Sequence, residues 1–134
     1  MTGGPEDGLM QPHILIVGME SMARGRLRNM LNVEGMDSEQ VIGTNNTLER
    51  LANGDPSATG LLTGTLHGEY LRVMQAARDL GVNAVLLTHS QMTVREVRAA
   101  RIPAYLQSKI VGPSIDKSMR RSLIEDLLSP PESC

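Results

Sequence analysis

The stretch His13-Ile14-Leu15-Ile16-Val17-Gly18 decides how this chain is read. An unbroken aliphatic run, rich in β-branched residues and stopped by glycine, marks a strand buried on both faces, because a strand with one wet face alternates apolar and polar residues. Ser21 then offers a helix N-cap. Arg24, Leu27, Met30 and Leu31 follow at three- and four-residue spacing, which gathers the apolar groups on one face until Gly35 ends the helix. A strand wet on neither side needs helices above and below it, so the rest of the chain is expected to repeat this unit.

The repeats can be followed outward from there. Gln40-Val41-Ile42-Gly43 predicts a second strand and Asn45-Asn46 a turn, with Thr47 capping a helix through Leu48 and Leu51 that stops at Asn53-Gly54-Asp55-Pro56. A third strand is predicted over 58–63. The helix after it carries Tyr70, Leu71, Met74, Ala77 and Leu80 on one face and is closed by Gly81. Asn83-Ala84-Val85-Leu86-Leu87-Thr88 is the fourth strand, followed by a helix over 93–101 before Pro103. Ala104-Tyr105-Leu106-Gln107-Ser108-Lys109 is the fifth, and a last helix over 115–128 is ended by Ser129-Pro130-Pro131. This alternation implies one α/β domain over 13–128: a doubly wound, five-stranded parallel sheet of flavodoxin-like type, a three-layer α/β/α sandwich with right-handed crossovers. Residues 1–12 read as a flexible leader and 129–134 as a flexible tail. In such a sheet, ligand chemistry gathers at the carboxyl ends of the strands, here near Gly18, Thr63, Thr88 and Lys109.

Composition narrows the function classes. A chain of 134 residues suffices for one buried core, and no run nears the roughly 18 apolar residues of a bilayer span, so no membrane role is expected. The first twelve residues carry two acids and no base, unlike a secretory signal, and the expected location is cytoplasmic. Cys134 is the single cysteine, and His13, His67 and His89 share no ligand spacing with it, so neither a metal nor another cofactor is expected. A net charge of −2, a pI near 5.9 and 1% aromatic residues argue against direct nucleic-acid binding. With Phe and Trp absent, nine Met must help Leu, Ile, Val and Ala fill the core.

The rhythm of strands and helices, with Thr88 ending the fourth strand and Lys109 the fifth, resembles the receiver domain of bacterial response regulators over residues 13–128. That resemblance implies an acidic pair after the first strand to hold Mg²⁺, a phospho-accepting aspartate after the third, and a Ser or Thr with a Lys to bind the phosphoryl oxygens. In this chain Gly18 and Met19 stand in the places of the acidic pair, beside Glu20, and Thr63 stands in the place of the aspartate. An acyl phosphate needs a carboxylate, and a hard divalent cation needs clustered oxygen ligands. The resemblance therefore implies an atypical, or pseudo, receiver. Such a domain is a two-component signalling module that is not phosphorylated at an aspartate, is not an enzyme, and works by phosphorylation-independent protein–protein interaction. In the family, the fourth helix, fifth strand and last helix form a docking or dimerisation surface. Here that implies an interface built from Arg95, Arg98, Arg101, Tyr105, Arg120 and Arg121, facing a signalling protein, an output regulator or a second copy of the chain.

Two other readings stand beside this one. The Gly18 turn would let a helix N-terminus approach a pyrophosphate in a small-molecule or nucleotide-binding Rossmann-like domain, although Glu20 holds the place of the second glycine. Alternatively, Glu20 with backbone oxygens retains Mg²⁺. An ion pair between Glu20 and Lys109 across the strand ends is a further expectation. His89 follows Thr88, but no Asp or Ser at a recognisable spacing orients it, so it reads as a loop residue.

Overall fold

The computed structural model describes residues 11–54 and 57–128. The leader, apart from Gln11 and Pro12, and the tail lie outside the described residues. At the foot of the first strand the Asp37 N–H donates to the Pro12 carbonyl at 2.9 Å.

The elements are β1 (His13–Val17), α1 (Ser21–Val33), β2 (Asp37–Val41), α2 (Thr44–Asn53), β3 (Gly60–Thr63), α3 (Tyr70–Asp79), β4 (Asn83–Thr88), α4 (Gln91–Ala99), β5 (Ala104–Leu106), α5 (Gln107–Ile110) and α6 (Lys117–Leu128), with a short 3-10 turn at Leu66–Gly68. All neighbouring strands pair in parallel, in the order β2-β1-β3-β4-β5. This is the doubly wound, three-layer α/β/α fold that the aliphatic runs imply.

Alternate residues of each central strand feed two separate cores. Ile14, Ile16, Leu62, Val85, Leu87 and Tyr105 pack with Leu27, Met30 and Leu31 of α1 and with Leu123 and Leu127 of α6. Leu15, Val17, Leu61, Ala84, Leu86 and Ala104 pack on the opposite face with Leu51 of α2, Val73, Met74 and Ala77 of α3, and Val94 and Val97 of α4. Gly60 lets α6 come down onto the sheet, since a Cβ there would lie 3.0 Å from a Leu127 methyl and 3.1 Å from its carbonyl oxygen.

The elements differ from the sequence expectation at the sheet edges and helix starts. β2 lies at Asp37–Val41 rather than 40–43: it is an edge strand, and its polar Asp37, Ser38, Glu39 and Gln40 carry no apolar signal to read. Thr47 is not a cap but sits one turn inside α2, fully buried, with its hydroxyl donating to the Gly43 carbonyl at 2.7 Å. Ser21 is the first residue of α1 and not its cap. α4 starts at Gln91 because Ser90 caps it, its Oγ accepting from the Thr93 N–H at 3.1 Å. α6 starts at Lys117, where Asp116 Oδ1 accepts from the Ser118 and Met119 N–H groups at 2.9 and 3.2 Å. Most consequentially, β5 stops at Leu106. Its pairing partner β4 ends at Thr88, opposite Leu106, so residues beyond have no ladder to join and turn into α5. Among the described residues no helix is long and apolar enough to cross a membrane.

Candidate functional site

The turn after β1 and the end of β3 interlock through two glycines. Gly18 has φ +68°, and a Cβ there would lie 2.8 Å from Leu66 Cδ2. Gly64 extends the ladder by donating its N–H to the Val17 carbonyl at 2.9 Å, and a Cβ on it would sit 2.5 Å from the Gly18 carbonyl oxygen. No side chain fits at Gly64, so backbone meets backbone where the first and third strands end.

A cleft of about 480 Å³ opens beside this junction. Gly18, Glu20 and Gly64 line one side, and Thr88, His89 and Ser90 line the other; Thr65, Leu87 and Gln107 complete it. Glu20 is exposed and makes no capping hydrogen bond to α1. Thr88 is 4% exposed, and its Oγ1 accepts from the Ser90 N–H at 3.2 Å. The cleft wall is thus made of hydroxyls, an amide, one carboxylate, one imidazole and glycine backbone. Among the described residues no three of His, Cys, Asp and Glu cluster as a metal site would require.

The structure redistributes the other residues expected here. Thr63 is fully buried, its hydroxyl donating to the Gly64 carbonyl at 2.8 Å, and it is Gly64 and Thr65 that reach the cleft. Met19 is half-buried against the α1 and α6 core. Lys109 does not end a strand. It lies in α5, three residues past β5, outside the cleft lining and without an ion pair to Glu20. Gln107, the first residue after β5, takes the place on the cleft wall. Ser90 and Gln107 were missed by reading the sequence, and Thr65 reads there as an ordinary polar group near a strand end, although each lies within two residues of one.

The proposed interface residues divide between two surfaces. Arg95 and Arg101 are exposed on and just after α4. Arg98 Nε instead donates to the Ala104 carbonyl at 2.7 Å, and its guanidinium carbon lies 4.8 Å from the Tyr105 ring centre. Tyr105 is 4% exposed and donates its hydroxyl to the Asp126 carboxylate on α6. Burial and that carboxylate hold the phenol well above the ordinary tyrosine range. Arg120 Nε donates to the Ile110 carbonyl at 2.6 Å and Arg26 Nη1 to the Val111 carbonyl at 2.9 Å, which ties the end of α5 to both neighbouring helices. Arg120 and Arg121 line a groove toward α1, away from the side where Arg98 braces β5.

Comparison with known proteins adds the fold and nothing finer. No protein-family model matches the sequence, and no curated protein matches it. Among solved structures, the chain is similar to a fusion between a yeast Spc42 trimeric coiled-coil segment and another protein of solved structure. The likeness has a TM-score of 0.68 and 20% identity, covering 90% of this chain and 80% of that one.

Proposed function

We propose that this chain is a receiver-like signalling domain that acts by protein–protein contact and not by phosphoryl transfer. One observation carries the reading: at the ends of β1 and β3, where acid chemistry would be assembled, the positions facing the cleft are Gly18 and Gly64, locked backbone to backbone. Thr63 cannot be reached from the cleft side, because it lies fully buried beneath that junction. Among the described residues Glu20 after β1 is the one carboxylate on the cleft wall, and none stands at the end of β3 to form an acyl phosphate, so the surfaces of the fold are taken as its means of signalling. The nucleotide-binding alternative turns on the same place. Leu66 fills the direction a side chain would take at Gly18, while the glycine itself faces the cleft beside the Glu20 carboxylate, whose charge would repel a pyrophosphate.

The test is an amide-resolved NMR titration with Mg²⁺ and beryllofluoride. Expected are unchanged resonances at Gly18, Glu20, Gly64, Thr65 and Thr88; saturable shifts confined to them overturn the proposal. The contact arm reverses Arg95 and Arg101 to Glu, both exposed. The set of proteins labelled by a proximity tag on the chain is then expected to shrink relative to wild type, and an unchanged set removes α4 as the docking face.

A further inference from the structure

We propose that a second copy of this chain docks on the groove between α1 and α6, giving a two-fold dimer that does not use the α4 arginines. The groove encloses about 620 Å³. Its floor is apolar, formed by Met30, Val111 and Ile124, and its rims carry Val33, 76% exposed, and Ile115, 50% exposed. Aliphatic side chains held this far into water beside an apolar hollow mark a surface that gains by being covered.

The topology sets the direction of the groove and its charge. α1 leaves the carboxyl end of β1 and finishes near Pro12 and Asp37 at the amino edge of the sheet. α6 begins beyond β5 and finishes where the Leu127 carbonyl accepts from Asn83 Nδ2, at the first residue of β4, at 2.8 Å. The two helices therefore run the same way, and charge is graded along the hollow between them. Lys117 and Arg121 lie with Ile115 at the end near the strand carboxyl termini, and Glu34 lies with Val33 at the other.

A two-fold axis lying in the interface and running obliquely across the groove brings the Lys117 corner of each copy over the Glu34 corner of the other, with the helices of the two copies crossing in opposed directions. Lys117 and Arg121 of each copy then meet Glu34 of the other, and Ile115 of each meets Val33 of the other. Every contact occurs twice, as an isologous interface demands. One operator satisfies the ionic and the apolar pairs together, whereas aligning the copies in the same direction would set like charge on like. A foreign partner would have to carry a matching gradient; a second copy carries it already. Arg95 and Arg101 take no part, so this dimer stands or falls separately from the proposed function.

Sedimentation equilibrium of the full chain over a range of concentrations tests it. The wild type is expected to show a monomer–dimer equilibrium. Arg121→Glu and Glu34→Arg are each expected to weaken it about tenfold or more, and the double variant to restore it. Val33→Glu is expected to leave only monomer. These side chains are exposed, and an NMR spectrum of each variant verifies the fold. The proposal is overturned by a wild type that stays monomeric up to about 1 mM, where any association would be weaker than the millimolar range. It is equally overturned by a dimer indifferent to the single charge reversals, by a double variant that fails to re-associate, or by a dimer that Arg95→Glu with Arg101→Glu dissolves.

Discussion

Arg101 occupies the left-handed region at φ +66°, where it closes α4: its N–H donates to the Arg98 carbonyl at 2.9 Å and the Ile102 N–H to the Val97 carbonyl at 3.2 Å. Gly35 and Gly81 hold the same place after α1 and α3, at φ +81° and +76°. A side chain in that conformation costs about 1 kcal/mol, so Arg101→Gly is expected to raise the thermal midpoint by roughly 3 °C. Differential scanning calorimetry checks this, and a lowered midpoint would mean that the arginine side chain contributes more than its backbone strain removes. The same steric logic governs the strand ends. Rebuilding an acidic site with Gly18→Asp and Thr63→Asp would place one Cβ within 2.8 Å of Leu66 and put a carboxylate where Thr63 is fully buried. The individual residue types at 18 and 63 were legible in the sequence. That Leu66 covers the first and that Gly64, not Thr63, reaches the cleft were not, because both depend on which way a loop folds back.

Edge elements carry the clearest structural consequences of single side chains. β5 is three residues long and pairs with β4 alone, so its outer carbonyls need another donor. Arg98 supplies one at Ala104 and stacks on Tyr105, whose hydroxyl reaches Asp126, so one chain of contacts joins α4, β5 and α6. Tyr105→Phe is expected to destabilise the domain by about 1–2 kcal/mol, because a half-buried carboxylate loses its donor. The phenol is raised above its ordinary value of 10.0, so its contribution is complete below that pH and is lost as pH rises through the folded value. Urea denaturation on either side of pH 10 should therefore show an alkaline loss in the wild type that Tyr105→Phe lacks; equal slopes in the two proteins would refute the coupling. The doubly buried strands β1 and β4 were legible to the residue, since burial on both faces writes an uninterrupted aliphatic run. β2 and β5 were not: an edge strand has a neighbour on one side only, and its end is set by where that neighbour stops.

Across the whole molecule, a polar network ties the open β2 edge to its surroundings. Glu39 of β2 accepts from Arg50 of α2 at 2.8 and 3.1 Å and lies 2.7 Å from His13 Nε2 of β1. The Arg50 hydrogen bonds, opposed by partial burial, hold the Glu39 carboxyl below its ordinary value of 4.5. Its contribution is therefore present above that pH and is lost as pH falls through the lowered folded value. Because the Glu39 side chain is 34% exposed, solvent screening keeps the effect to about 1 kcal/mol. In an acid titration of stability, Glu39→Gln is expected to be weaker than wild type at neutral pH and to converge with it in acid, and a constant gap between the two curves would rule the linkage out. The sequence by itself determined the fold class, the alternation of strands and helices and the absence of acids at Gly18, Met19 and Thr63, because local periodicity and residue type are written along the chain. Tertiary structure alone decided that Lys109 leaves the strand, that Arg98 braces β5 and that Arg121 turns toward α1. Each of those outcomes depends on which element becomes a neighbour, and neighbours distant in sequence are chosen only when the sheet closes and its two faces are covered.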